Sequence, residues 1–175
     1  MIADMKQRET ELLLMLEESD PWVETAESGR PTYTRLQRAR VRRIDLHEAM
    51  ESLEATVARP AAPEGWAEAV VDSLLQLRDA LQAHIRELEA PDGLFAEILD
   101  KAPRLASEVE ALKKEHIELA KSWARALQSL RGDGVASATE VRRRVISLIG
   151  RLAIHRHRGS DLVYEAYNVD IAAAD

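Results

Sequence analysis

The chain has no cysteine, seven glycines, six prolines and only 4% aromatic residues in 175. Without cysteine, disulfides and thiolate ligands are excluded, so any metal must be held by nitrogen and oxygen. Few glycines and prolines leave few places where a helix must break. No apolar run approaches the ~20 residues that cross a bilayer. The Leu12-Leu13-Leu14-Met15-Leu16 run is too short, and too closely flanked by acids, for a signal peptide. Positive charge is also in deficit: the net charge of -7 argues against nonspecific affinity for nucleic acid or an anionic membrane. A cytoplasmic protein is the natural expectation.

What remains is rich in Ala, Leu, Glu and Arg, with 46% hydrophobic and 31% charged residues. Such a chain can build a core, fits one domain, and favours helices throughout. The expected division is 1–31 as an N-terminal helix and connector, 32–168 as the main helical unit, and 169–175 as a frayed end. The N-terminal helix would carry Ile2, Met5, Leu12, Leu13 and Leu16 on one side and end at Asp20-Pro21. Thr34 is a plausible cap for a helix to about Arg59, with Leu36, Ile44, His47, Met50, Leu53 and Val57 facing inward. A second helix, from about Glu64 to Ala90, presents Val70, Val71, Leu74, Leu77, Leu81, His84 and Leu88. Pro91-Asp92-Gly93 stops it.

Pro103 suits the first turn of a third helix. Its face carries Leu105, Val109, Leu112, His116, Leu119, Trp123, Leu127 and Leu130. Ser137 with Glu140 forms a capping box for the fourth helix, whose face is Val141, Val145, Leu148, Leu152 and His155. Gly150 reads as a point of close helix approach and Gly159 as a stop, with a short helical tail from Asp161 to Tyr167. Four long helices joined by modest turns predict an all-α, antiparallel up-down-up-down four-helix bundle.

Each of the four helices carries one histidine on its apolar stripe: His47, His84, His116 and His155. With about a third of helix positions on such a stripe, four histidines would all land there by chance on the order of one time in a hundred. At ~1.5 Å per residue, their heights agree to within roughly 9 Å. Neutral imidazole is a strong ligand for iron, zinc, copper or nickel, and carboxylates balance the charge. The candidate acids are Glu51, Glu87, Glu89 and Asp161, the last one turn after His157; Glu115 and Glu118 flank His116 but point partly sideways. A ferritin-like site would need Glu three residues before the histidine, where Lys113 and Leu152 stand instead. The arginines at 35, 38, 40, 42 and 43 and at 142–144 read as a solvated face, since many acids balance them.

From about Arg43 to Tyr167 the sequence resembles the hemerythrin-like, or HHE cation-binding, family. His47-Glu48-Ala49-Met50 is similar to the first-helix motif, and His84-Ile85 with the following acids and Leu94-Phe95 to the second. Glu115-His116 is similar to the third, and His155 or His157 with Asp161 and Tyr164 to the fourth. The resemblance implies a non-haem iron centre of one or two ions that binds oxygen, nitric oxide or peroxide for binding, sensing or iron handling. Its ligands would be drawn from His47, His84, Glu87, Glu89, His116, His155, His157 and Asp161. Haem or zinc is a less favoured cofactor, and a homodimer is compatible. Leu112 and Ala120 stand where the third helix usually carries a second histidine, which leaves one ion, an unequal pair or a metal-free bundle open. A binding or sensing protein is expected before an enzyme. The rival class is a metal-free helical protein-interaction module.

Overall fold

The computed structural model describes residues 24–25, 31–32, 34–61, 65–131 and 137–172. Five α-helices dominate them: α1 (Arg35–Ala58), α2 (Trp66–Glu89), α3 (Leu94–Lys101), α4 (Ala106–Arg131) and α5 (Ala138–Ala172). A 3-10 turn, Pro103–Leu105, leads into α4. At the connector, β1 (Glu24–Thr25) makes a two-residue antiparallel pairing with β2 (Pro31–Thr32). The expected N-terminal helix lies outside the described residues. No helix among the described residues is long and apolar enough to cross a membrane.

Local chemistry sets the helix ends. Thr34 accepts from the Gln37 amide at 3.2 Å while the Gln37 side chain accepts from the Thr34 amide at 2.8 Å, a complete capping box. Ser137 likewise accepts from the Glu140 amide, but the Glu140 carboxylate turns instead to Arg143 and Arg144. At the far end of α1, Arg142 donates to the Val57 and Arg59 carbonyls, which α1 itself cannot satisfy. The turn into α3 depends on Gly93. A Cβ there would lie 2.6–2.9 Å from the carbonyl oxygens of Glu87, Leu88 and Ala90.

Two glycine expectations are corrected. A Cβ on Gly150 would meet nothing within 4 Å, so this glycine does not mark a close helix approach. Gly159 does not stop α5, which runs on to Ala172. One helical glycine costs about 1 kcal/mol, and burial of Leu162 and Ala166 beyond it offsets that.

α1 packs on α2 and α5, and α4 on α2 and α5, while α3 and the 3-10 turn lie across one end. Each long helix buries a stripe with alternating steps of three and four residues. On α2 it is Val70, Leu74, Leu77, Leu81, His84 and Leu88; on α5 it is Val141, Val145, Leu148, Leu152, His155, Leu162 and Ala166. Leu105 of the 3-10 turn and, on α4, Val109, Leu112, His116, Leu119 and Ala126 continue the pattern. Trp123 extends it half-buried, donating its indole N–H to the Leu74 carbonyl at 2.7 Å.

The α1 stripe differs from the expected one. Ala39, Leu46, Met50, Leu53 and Val57 are buried, whereas Ile44 is 41% exposed. In this phase the stripe position between Ala39 and Leu46 belongs to Arg43, and His47 falls to the side.

The core divides into two apolar clusters. One includes Leu46, Leu81, Leu119 and Leu152; the other includes Ala39, Leu88, Leu112 and Leu162. His84 lies between Leu81 and Leu88 on its stripe, His116 between Leu112 and Leu119, and His155 between Leu152 and Leu162. The three histidines therefore form a polar layer between two hydrocarbon blocks.

Candidate metal centre

The layer exists because three separate helices each place a histidine at one stripe position and at one depth. His84, His116 and His155 are only 6%, 3% and 2% exposed. One nitrogen from each lies within 4.8 Å of the others. The His84 ring stands edge-on to both partners, with centroids 5.9 and 5.8 Å away, and the His116 and His155 centroids are 4.7 Å apart. Phe95, delivered by the Gly93 turn, stacks on His116 at 6.2 Å and 15°.

Two carboxylates assign the ring protons. His116 Nδ1 lies 2.5 Å from Glu89 Oε1, and His155 Nδ1 lies 2.9 Å from Glu115 Oε2. An ionised carboxylate can only accept, so each Nδ1 donates its proton there and each Nε2 lone pair is free to face inward. Those two Nε2 atoms are 3.1 Å apart. Two bare lone pairs at that distance repel, so the arrangement calls for a positive centre between them: a shared proton or a metal ion.

Burial disfavours the proton. It pushes all three imidazoles below their ordinary range, His84 to about 3, where the neighbouring His155, His116, Arg43 and Arg156 add to the effect. For His116 and His155, burial outweighs the opposing pull of their glutamates. Burial would raise Glu115, yet hydrogen bonds from His155 and Arg158 hold it below its ordinary value. His84 Nδ1 is buried with no hydrogen-bond partner, a state that costs about 1–3 kcal/mol.

The His116 and His155 nitrogens fit a shared metal as they stand. At ~2.05 Å per bond, two nitrogens 3.1 Å apart subtend about 98° at a shared ion, between octahedral and tetrahedral values. Nitrogens opposite each other across one ion would be about 4 Å apart, so His116 and His155 cannot clamp a haem from its two faces in this arrangement.

The remaining expected ligands lie elsewhere. His47 has a 38% exposed side chain 3.5 Å from Glu51, and its Nδ1 lies 2.9 Å from Arg156 Nη1. The shifted phase of α1 puts it outside the three-histidine group. Glu87 is engaged by Arg38 at 2.7 Å. His157 and Asp161 sit on the exposed side of α5, 3.6 Å from each other. Glu89 reaches the site through His116 rather than as a direct partner of the other rings.

Three neighbours matter more than the sequence suggests. Glu115, expected to point partly sideways, holds both His155 and Arg158. Phe95, a motif residue in the sequence, stacks on a ring of the layer. Arg43, expected on a solvated face, is half-buried, and the spacing of Leu36, Ala39, Leu46 and Met50 places it on the inward stripe. Set against protein-family models, curated proteins and solved structures, the chain matches none of them.

Proposed function

We propose that α1, α2, α4 and α5 form an antiparallel up-down-up-down bundle that holds one first-row transition-metal ion on His84, His116 and His155. The observation that carries this reading is the meeting of three buried, neutral imidazoles from three helices within 4.8 Å. Glu89 and Glu115 serve as positioning residues, fixing the tautomer and raising the basicity of two of the rings. The two apolar clusters and Phe95 keep bulk water from the layer. Bound there, the ion would supply an exchangeable coordination position for a small ligand. The resemblance to hemerythrin-like proteins supports non-haem iron, with oxygen, nitric oxide or peroxide as that ligand. Three nitrogen donors without a bridging carboxylate favour one ion over two.

The 3.1 Å contact between His116 and His155 also suits a metal-free chain of glutamate, histidine, histidine and glutamate sharing one proton. In that reading the layer fixes helix register and the protein is an interaction module. Metal analysis separates the two. After iron-replete expression and anaerobic reconstitution, about one ion per chain is expected, lost on His116→Ala. Less than about a tenth of an equivalent of any transition metal would favour the module, because histidine sites hold such ions strongly.

A further inference from the structure

α5 carries a second stripe, on the face turned away from the core. Arg143, Ile146, Gly150, Ile154 and Asp161 follow one another at spacings that keep them on one side of a helix. All five are exposed, Ile146 by 59% and Ile154 by 57%. The arginines along the edges of this stripe are turned aside. Arg142 donates to α1 carbonyls and Arg144 to the Arg125 carbonyl of α4, while Arg151 reaches Ser122 and Arg158 reaches Glu115. A ridge of two isoleucines around a glycine is left bare between them, and none of the described helices covers it.

The monomer does not explain this ridge. A glycine in mid-helix is less stable than alanine. Gly150 gains nothing in exchange within the chain: its φ is not positive, and a Cβ would meet nothing within 4 Å. Ile146 and Ile154, about one turn to either side, hold apolar surface in water. All three residues fit together where another helix crosses here, because a missing Cβ leaves a hollow for a large side chain.

Symmetry identifies what crosses. Gly150 and Ile154 lie equally far to either side of Leu152, and so do Arg143 and Asp161. When a second α5 runs antiparallel about a two-fold axis level with Leu152, Ile154 of each copy faces Gly150 of the other. In the same register Arg143 of each copy faces Asp161 of the other, so both contacts occur twice. Other registers lose the match. A parallel pairing sets Arg143 against Arg143 and Asp161 against Asp161. An antiparallel one centred on Gly150 sets Arg143 against His157. Within one chain Arg143 binds Glu140, and Asp161 lies 3.6 Å from His157. Their side chains are 72% and 58% exposed, so pairing between copies contributes register more than affinity.

We propose that the outer face of α5 is the contact surface for a second copy of this chain, paired antiparallel with Ile154 seated over Gly150 and Arg143 opposite Asp161. This holds whether or not the histidine layer contains an ion. One helix from each copy offers less than the roughly 800 Å² per partner of a standard interface, so the dimer is weak, with dissociation in the micromolar range.

Sedimentation velocity of the full chain across the micromolar range should show monomer passing reversibly to dimer. Gly150→Leu should weaken the dimer at least about tenfold by filling the hollow, yet raise the urea midpoint of the monomer, because leucine suits a helix better than glycine. Arg143→Asp and Asp161→Arg should each weaken the dimer about 5- to 10-fold by setting like charges opposite each other. A mixture of these two single variants should regain wild-type association, since each supplies the charge that the other lacks. A purely structural effect of either substitution would not be reversed by mixing. A chain that stays monomeric throughout, as when another segment or a different partner covers this face, would overturn the proposal. So would a dimer unaffected by Gly150→Leu, or charge variants that associate no better mixed than alone.

Discussion

Acid should destabilise the metal-free protein through His84, and the size of the effect can be worked from its surroundings. Unfolded, this imidazole takes a proton below its ordinary value of 6.5; folded, burial and the neighbouring cations hold protonation off until about pH 3. Between those values the unfolded chain binds more protons, so stability falls as pH falls. It is fully present above pH 6.5. At about 1.4 kcal/mol per pH unit the whole window is worth about 5 kcal/mol. Between pH 7.5 and pH 5.0 alone, His84 should remove about 2 kcal/mol. Urea unfolding in chelator at both pH values measures this. His84→Leu places a leucine between Leu81 and Leu88 on the same stripe, so the fold should survive and the pH-dependent loss should shrink by about 2 kcal/mol. Some slope should remain, because burial also lowers His116 and His155. Equal losses in wild type and His84→Leu would refute the claim that this ring is buried neutral.

Two further outcomes follow from contacts around the layer. Glu89→Gln and Glu115→Gln keep the shape of each side chain but remove the charge that orients His116 or His155. Each should weaken metal binding about 10- to 100-fold, read by competition with a chromophoric chelator, with urea stability at neutral pH changing far less. Gly93→Ala forces a Cβ against three carbonyl oxygens, so it should cost about 1–3 kcal/mol in urea unfolding and disturb Phe95 on His116; an unchanged midpoint would contradict the tight turn.

Much of the fold was legible because hydrophobic periodicity is a local property. The steps of three and four residues on α2, α4 and α5 placed His84, His116 and His155 inward before any coordinates, and all three are buried. The cap at Thr34 and the stop near Pro91 were likewise written in short-range chemistry. α1 was harder. Its inward stripe contains Arg43 and Ala39, while Ile44 and Val41 are largely exposed, so hydrophobicity alone chose the wrong phase and promoted His47.

The sequence by itself determined that the chain is helical, that any metal must be held by nitrogen and oxygen, and which rings on three helices face inward. Those facts depend on residue type and on neighbours within a turn or two. Only the tertiary structure decided that three imidazoles meet, that Glu89 serves His116 across 27 positions and that Glu115 serves His155 across 40. Such pairings depend on the relative height and rotation of whole helices, which packing of side chains far apart in the chain sets.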